Sequence, residues 1–510
     1  VGGLFLLLVV LVIGLWMALQ SPEVQRRIFE WSLSWDPPTA EALSAERAPT
    51  PRFAGPVGDA TTVQSVDEIF RPDRVWNVRI RFTRAQWERI QALRVEPLKN
   101  WMSREDGTLR LSNPKASRNG LAGVLGFDFP WSTGDVEFGG MLFTNTALRF
   151  KGNGTYLDAL RSYRKPFKLD FAKGNPGRNL GGRTEFNLGN LVADRSCLSD
   201  TLGYEFFRNA GVPSPRTGFA RVFLDLEGRE TNRLLGLYLL VENPDGEWAR
   251  ERFAATNVAL FKPVTLELFS DLGSNWSAYQ RIYDPKTRLS EADQARVMGF
   301  ARLVSHADDS EFARQVGAWV DVEEFCRFLA CEVLLSNYDG ILSNGQNFLM
   351  YLDPRTQRFG FIPWDLDHAW GEFPFLGTAD QRERASIWTP WIGKNRFLER
   401  MLQVDAVRTL YRQELERLLS TQFDPERLGR RIDELAGTLR PLIEEWSEDR
   451  LARFEVAVSD QWTDGPRDGN PTGGDRPVWQ LKRFIRNRAE NVRAQLDGRE
   501  EGGVITRPTW

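Results

Sequence analysis

The chain has 510 residues, 42% hydrophobic and 26% charged, with a formal net charge of −3. That length and balance fit a globular protein with room for two or three subdomains, and the near-neutral charge gives no electrostatic footprint for nucleic acid. Three cysteines and two histidines argue against a disulfide framework and a His-rich metal site.

The first segment, VGGLFLLLVVLVIGLWMALQ (1–20), carries no charge and matches one bilayer crossing as a helix. It reads as an uncleaved single-pass transmembrane anchor or a signal segment, with the large domain that follows on the extracytoplasmic side. Residues 21–65 follow as a linker rich in Pro, Ala, Thr and Gly. VWNVRIRF (75–82) alternates as a strand does, and TRAQWERIQAL (83–93) reads as a helix with Thr83 as N-cap. Short β pieces follow over 134–153 and 165–171. CLSDTLGYEFFRNAG (197–211) reads as a helix, with Ser199 and Asp200 as cap candidates and Gly211 at the left-handed C′ position. Strands are expected over 217–226 and 234–242, the second largely apolar.

Beyond residue 285 the pattern becomes helical. DVEEFCRFLACEVLLSN (321–337) opens with Asp321 and Glu324 spaced as a capping box. A hairpin is expected from 347–353 and 358–365, turning at Asp353-Pro354. Amphipathic helices are expected over 395–420, 425–455 and 478–496.

Two runs carry candidate chemistry: NYDGILSNGQN (337–347) and FIPWDLDHAWG (361–371). Phosphoryl transfer needs a carboxylate near the acceptor hydroxyl, hard oxygen donors for magnesium, and cations on the phosphates. Asp339, Asn344 five residues on, and Asp365 beyond the hairpin fit the first two needs, and the Asp-to-Asn step matches the kinase D-x-x-x-x-N spacing. Taken alone, the same residues read equally well as turns and caps. Trp364 and Trp370 read as packing groups that also exclude water, and His368 as a local hydrogen-bonding group.

Four patterns in order, the last of them containing these two runs, resemble the CotH family of spore-coat-type kinases: ALRFKGNGT (147–155) with RKPFKLDF (164–171), NLGNLVADRSCLSDTLGYEFFRNAGVPSPRTGFARVFLD (187–225), LGLYLLVENPD (235–245) with LFKP (260–263), and NYDG…NFLMYLD…FGFIPWDLDHAWG. The resemblance implies an α+β, atypical protein-kinase-like two-lobe fold behind the transmembrane helix. Residues 66–250 would form a β-rich N-terminal lobe, 251–498 a helical C-terminal lobe, and 499–510 a tail. It implies ATP- and Mg2+- (or Mn2+-) dependent phosphoryl transfer to protein Ser/Thr hydroxyls. The alternatives are a nucleotide-dependent transferase acting on a non-protein acceptor, or an inactive membrane-tethered scaffold. The expected partners are a protein substrate and, through 1–20, the membrane, but not nucleic acid.

By the same resemblance Asp339 is the catalytic carboxylate. Asp365 is a metal ligand, and Asp367 is a second ligand or its support. Asn344 and Asn347 compete for the metal-binding Asn. Lys165 or Lys168 contacts nucleotide phosphates; three apart in a strand, only one can face the cleft. Arg149 and Lys151 share a face where a glycine-rich loop would lie, although no G-x-G-x-x-G run is present. Glu205 is placed to pair with the lysine, Glu242 stands near a hinge, and Lys262 lines the adenine or ribose side.

Overall fold

The computed structural model describes residues 63–506 apart from 92–93, 96–102, 106–107, 111–126, 160–161, 266, 344, 462–466 and 470–474. Its first half is built on strand β1 (Val75–Phe82), whose burial alternates along its length because Trp76, Val78, Ile80 and Phe82 face inward. Helix α1 (Arg84–Gln91) starts where expected. The Gln86 N–H donates to Thr83 Oγ1 at 3.3 Å, and the Thr83 N–H donates to Gln86 Oε1 at 2.9 Å. Its Trp87 and Ile90, three apart, join the same core as the strand.

Six more strands belong to the same sheet: β2 (Ser132–Phe138), β3 (Met141–Phe150), β4 (Phe167–Asp170), β5 (Glu185–Gly189), β6 (Thr217–Leu226) and β7 (Glu230–Val241). They close into a seven-stranded barrel in the order β1-β6-β7-β5-β4-β3-β2. Strand β1 completes the ring, pairing antiparallel with β2 and parallel with β6, Val75 opposite Phe219 and Phe82 opposite Leu226. A parallel partner requires a crossover. Helix α2 (Ser199–Ala210) lies within it, ending at Gly211 with φ +91°.

This corrects the expected fold. The N-terminal part is a closed seven-stranded barrel, not the β-rich lobe of a two-lobe kinase-like fold. Alternation with a period of two looks the same in an open half-buried sheet and in a closed one, so the pattern of 75–82 could not register the closure. The membrane expectation is corrected as well. No helix among the described residues is long and apolar enough to cross a membrane, and residues 1–20, on which the single-pass anchor rested, lie outside the described residues.

The second half begins with α3 (Gly246–Phe253), the short strand β8 (Leu260–Phe261), α4 (Trp276–Tyr283), α5 (Glu291–His306) and α6 (Asp309–Trp319). Helix α7 (Val322–Leu334) is capped by Asp321, which accepts from the Glu324 N–H at 3.0 Å. The Glu324 carboxylate does not close a capping box; it accepts from the Phe361 N–H at 3.2 Å. The hairpin forms as expected from β9 (Phe348–Leu352) and β10 (Phe359–Pro363), with Asp353 accepting from the Thr356 N–H at 2.7 Å in its turn. Helices α8 (Arg396–Gln403), α9 (Asp405–Thr421), α10 (Pro425–Trp446), α11 (Glu448–Val458) and α12 (Leu481–Leu496) complete the chain.

Two cores result, and β6 and β7 serve both. Ala220, Val222, Leu224, Tyr238 and Leu240 point into the barrel, while Phe219, Leu237, Leu239 and Val241 join the helical core. Burial on both faces explains why the second of these strands reads as continuously apolar. The end of α10 locks the two halves. Trp446 packs on Gly236, where φ is +111° and a Cβ would lie 2.7 Å from the indole, and buried Arg221 pairs with Glu445 at 3.1 Å.

Candidate active site

A cleft of about 1460 Å³ runs between the outer wall of the barrel and the loops that flank the β9–β10 hairpin. Its barrel side follows from strand register. Inward Leu148, Phe150, Phe167, Leu169, Phe186 and Leu188 fill the barrel, so the intervening residues face outward. Arg149 stands opposite Lys168, and Lys168 opposite Asn187; Lys151 lies two residues beyond Arg149. All four line the cleft.

Lys168 Nζ pairs with Glu185 Oε2 at 2.7 Å, and the Asn243 side chain donates to that same oxygen at 2.5 Å. Arg149 lies 5.3 Å from the Trp131 ring centroid. Burial lowers the pKa of the Lys151 ammonium; the nearby Asp365 and Asp200 carboxylates pull it up, and Arg149 and Lys168 push it down. Lys151 and Lys262 approach the Trp364 ring, at 5.9 and 5.4 Å from its centroid.

The facing wall is acidic and irregular. Asp339 sits in the loop after α7, where the Asn347 side chain donates to Oδ2 at 2.9 Å. Asn347 has φ +57°, and its carbonyl accepts from the Trp364 N–H at 3.1 Å, tying the Asp339 loop to the WDLD turn. Asp365 also has φ +57°, a left-handed conformation rare for a non-glycine residue.

Helix α2 holds that conformation with residues spaced i, i+3 and i+4, which share one face. Asp200 Oδ1 accepts from the Leu366 N–H at 2.8 Å, and Tyr204 Oη accepts from the Asp365 N–H at 2.9 Å. Gly203 leaves room for Leu366, whose Cδ1 would lie 2.7 Å from a Cβ there. Asp200 is thus not the cap expected; Asp194 serves the helix start instead, accepting from the Ser199 N–H at 2.8 Å.

Carboxylates crowd on this side. Burial and the Asp365 charge push Asp200 up to about 7. Burial, with the Asp365, Asp200 and Asp339 charges, raises Asp367 well above the usual carboxylate range despite the opposing pull of His368. Burial works against the His368 imidazolium, but the Glu372 and Asp367 carboxylates outweigh it and raise its pKa well above the usual value. His368 Nδ1 meets Glu372 Oε2, the local contact expected of it. Trp370 is a packing group whose Nε1–H donates to the Ser199 carbonyl at 3.0 Å, whereas Trp364 lines the cleft.

The structure therefore gathers Arg149, Lys151, Lys168, Lys262, Asp339, Asn347, Asp365 and Asp367 around one cleft. Asn344 lies outside the described residues. Three sequence assignments go elsewhere. Lys165 is buried, its Nζ donating to the Ala159 carbonyl beside the Tyr156 ring. Glu205 pairs with Arg431 at 2.7 and 3.0 Å rather than with a lysine. Glu242 is fully buried and bound by Arg216 and Arg183, at 2.5 and 3.0 Å, and does not line the cleft. The residues missed are Asp200, Tyr204 and Glu185. Asp200 and Tyr204 spaced i, i+4 on one helix face, and the alternation of Glu185 and Asn187 with Phe186 and Leu188, were the signals available.

Residues 148–492, more than half of the chain, match the family described as CotH kinase protein. Inner spore coat protein H of Bacillus subtilis (strain 168) is 27% identical over 317 residues, covering 60% of this chain and 83% of that protein. The chain belongs to the CotH kinase family.

Proposed function

We propose that the protein transfers the γ-phosphoryl group of ATP to a hydroxyl of a protein Ser or Thr. The observation that carries this reading is the polarity of the cleft, with Arg149, Lys151 and Lys168 on the barrel wall facing Asp339, Asp365 and Asp367 on the loops. Such a cleft can seat a polyphosphate against cations and present its terminal group to carboxylates. At about 1460 Å³ it exceeds the usual range of small-ligand sites, which leaves space for an acceptor segment beside the nucleotide.

In the reaction the bond from the γ-phosphorus to the β–γ bridging oxygen breaks, and a bond to the acceptor oxygen forms. Asp339 orients the acceptor hydroxyl and takes its proton, leaving ADP and a phosphoester. Asn347 fixes the Asp339 carboxylate for that role. Lys151 and Lys168 bind the phosphates, and Trp364 keeps water from the reacting centre.

Among the described residues no three His, Cys, Asp or Glu side chains form a ready-made metal cage. That suits magnesium or manganese held through one or two carboxylates and the substrate's own phosphates. The crowding of Asp200, Asp365 and Asp367, in which Asp365 raises the pKa of both others and Asp200 that of Asp367, supports a cation there, with Asp365, Asp367 and Asn347 as donors. When bound, it would neutralise charge developing on the β- and γ-phosphates.

The test is magnesium- or manganese-dependent ATP turnover and phosphate incorporation into protein, wild type against Asp339→Asn and Asp365→Asn. Loss of transfer in both with folding intact is the expected result. Unchanged activity in either variant would remove that residue from the site.

A further inference from the structure

A second cavity, of about 310 Å³, lies between the end of α10, the start of α11 and the segment before α2. Arg195, Arg450 and Arg453 line it, with Asp449 as its single acidic lining residue and Trp446 and Phe454 as aromatic wall. Arg195 also lines the large cleft, so the two spaces share a wall.

The cations are held by packing. Arg450 lies 4.0 Å from the Trp446 ring centroid and Arg164 lies 3.4 Å from it. Two guanidiniums that close to one centroid cannot share a face, so the indole is clasped between them. Trp446 is itself seated on Gly236, and Arg450 Nη1 donates to the Leu191 carbonyl at 3.3 Å.

Three guanidiniums converging on a concave space repel one another, and Asp449 is already engaged by Arg453. Burial lowers the pKa of Arg450 to about 10, helped by the neighbouring charges of Arg195 and Arg453 and opposed by Cys197 and Asp449. The planar forks of arginine suit the tetrahedral oxygens of a phosphoryl group. Cys197, also in the wall, is no nucleophile, since burial and Asp194 push its thiol up to about 12.

We propose that this cavity is a binding site for a phosphoryl dianion, either free phosphate or a phosphomonoester, adjoining the active cleft and separate from its nucleotide site. The site stands whether or not the cleft transfers phosphate.

Calorimetric titration of the full chain with inorganic phosphate and, separately, with O-phosphoserine tests it, with thermal unfolding as the check on folding. Saturable millimolar or tighter binding is expected. It should weaken by about tenfold or more in the Arg450→Ala, Arg453→Ala double variant and tighten in Asp449→Asn, a gain that misfolding cannot produce. Asp365→Asn should leave it unchanged. Tighter binding of phosphoserine assigns the site to a modified side chain, and tighter binding of phosphate assigns it to the free ion. No saturable binding, binding indifferent to the arginine pair or to Asp449, or binding lost in Asp365→Asn would overturn the proposal.

Discussion

The two walls of the cleft are built by opposite means. On the barrel side, Arg149 and Lys168 are aimed by strand register, each fixed by the apolar residues on either side of it, and Lys151 follows one residue past the end of β3. On the loop side, Asp365 and Asn347 occupy left-handed backbone held by individual contacts from Asp200, Tyr204 and Asp339. The regular wall is over-determined and tolerates single changes, whereas the strained wall depends on a few partners. Strain of this kind is affordable only where buried structure enforces it, and α2 and α7 supply that structure.

The sharpest way to break the contrast is at the strained wall's own carboxylates. Asp339→Asn and Asp365→Asn should each lower phosphate incorporation by about 10²–10⁴-fold, with the thermal midpoint little changed. Next in size is the buried Glu332 beneath the Asp339 loop. Burial pushes its carboxyl up to about 8, against a counter-pull from the Asn337 amide. The unfolded chain ionises this group near its ordinary pKa of 4.5 while the folded chain keeps it protonated. Stability should therefore fall as pH rises between those values, by about 1.4 kcal/mol per pH unit, and level off above the folded pKa. Glu332→Gln should remove that slope in denaturant melts across the same range.

Tyr204→Phe leaves the Asp365 N–H without its acceptor and should cost about 1–3 kcal/mol, measured by urea unfolding, together with a loss of activity. On the regular wall the effects should be smaller and separable. Lys168→Ala should weaken nucleotide binding by about tenfold, read by titration with ATP, and barely change stability. Lys165→Ala, buried away from the cleft, should do the reverse. If Lys165→Ala weakens nucleotide binding and Lys168→Ala does not, the barrel wall has been read backwards.

Local signals carried much of this molecule. The alternation of 75–82, the glycine ending α2 at 211, the Asp321 cap and the Asp353 turn all follow from contacts within a few residues, and each stands where the sequence put it. What escaped depends on distant partners. Closure of the barrel rests on the pairing of β1 with β6, which no local period encodes. Asp200 looked like a cap because Asp at a helix start usually is one, yet its partner is Leu366. Glu205 and Glu242 were matched to a lysine and a hinge by position along the chain, while Arg431, Arg216 and Arg183 reach them from elsewhere. Lys165 and Lys168 were separable in principle by face, and the cross-strand register decides between them.

The shared strands β6 and β7 bear on how the chain must be made. When synthesis reaches residue 241 every barrel strand is present and α2 can already pack on β6, but Leu237, Leu239 and Val241 of β7 await α10, which packs on that strand later in the chain. Until α10 is added, the nascent barrel carries an oily stripe along β7 on its outer wall. That interval is when aggregation or chaperone capture should be greatest. A ribosome-bound chain halted just past β7 should therefore be sticky, and one released after α10 should not.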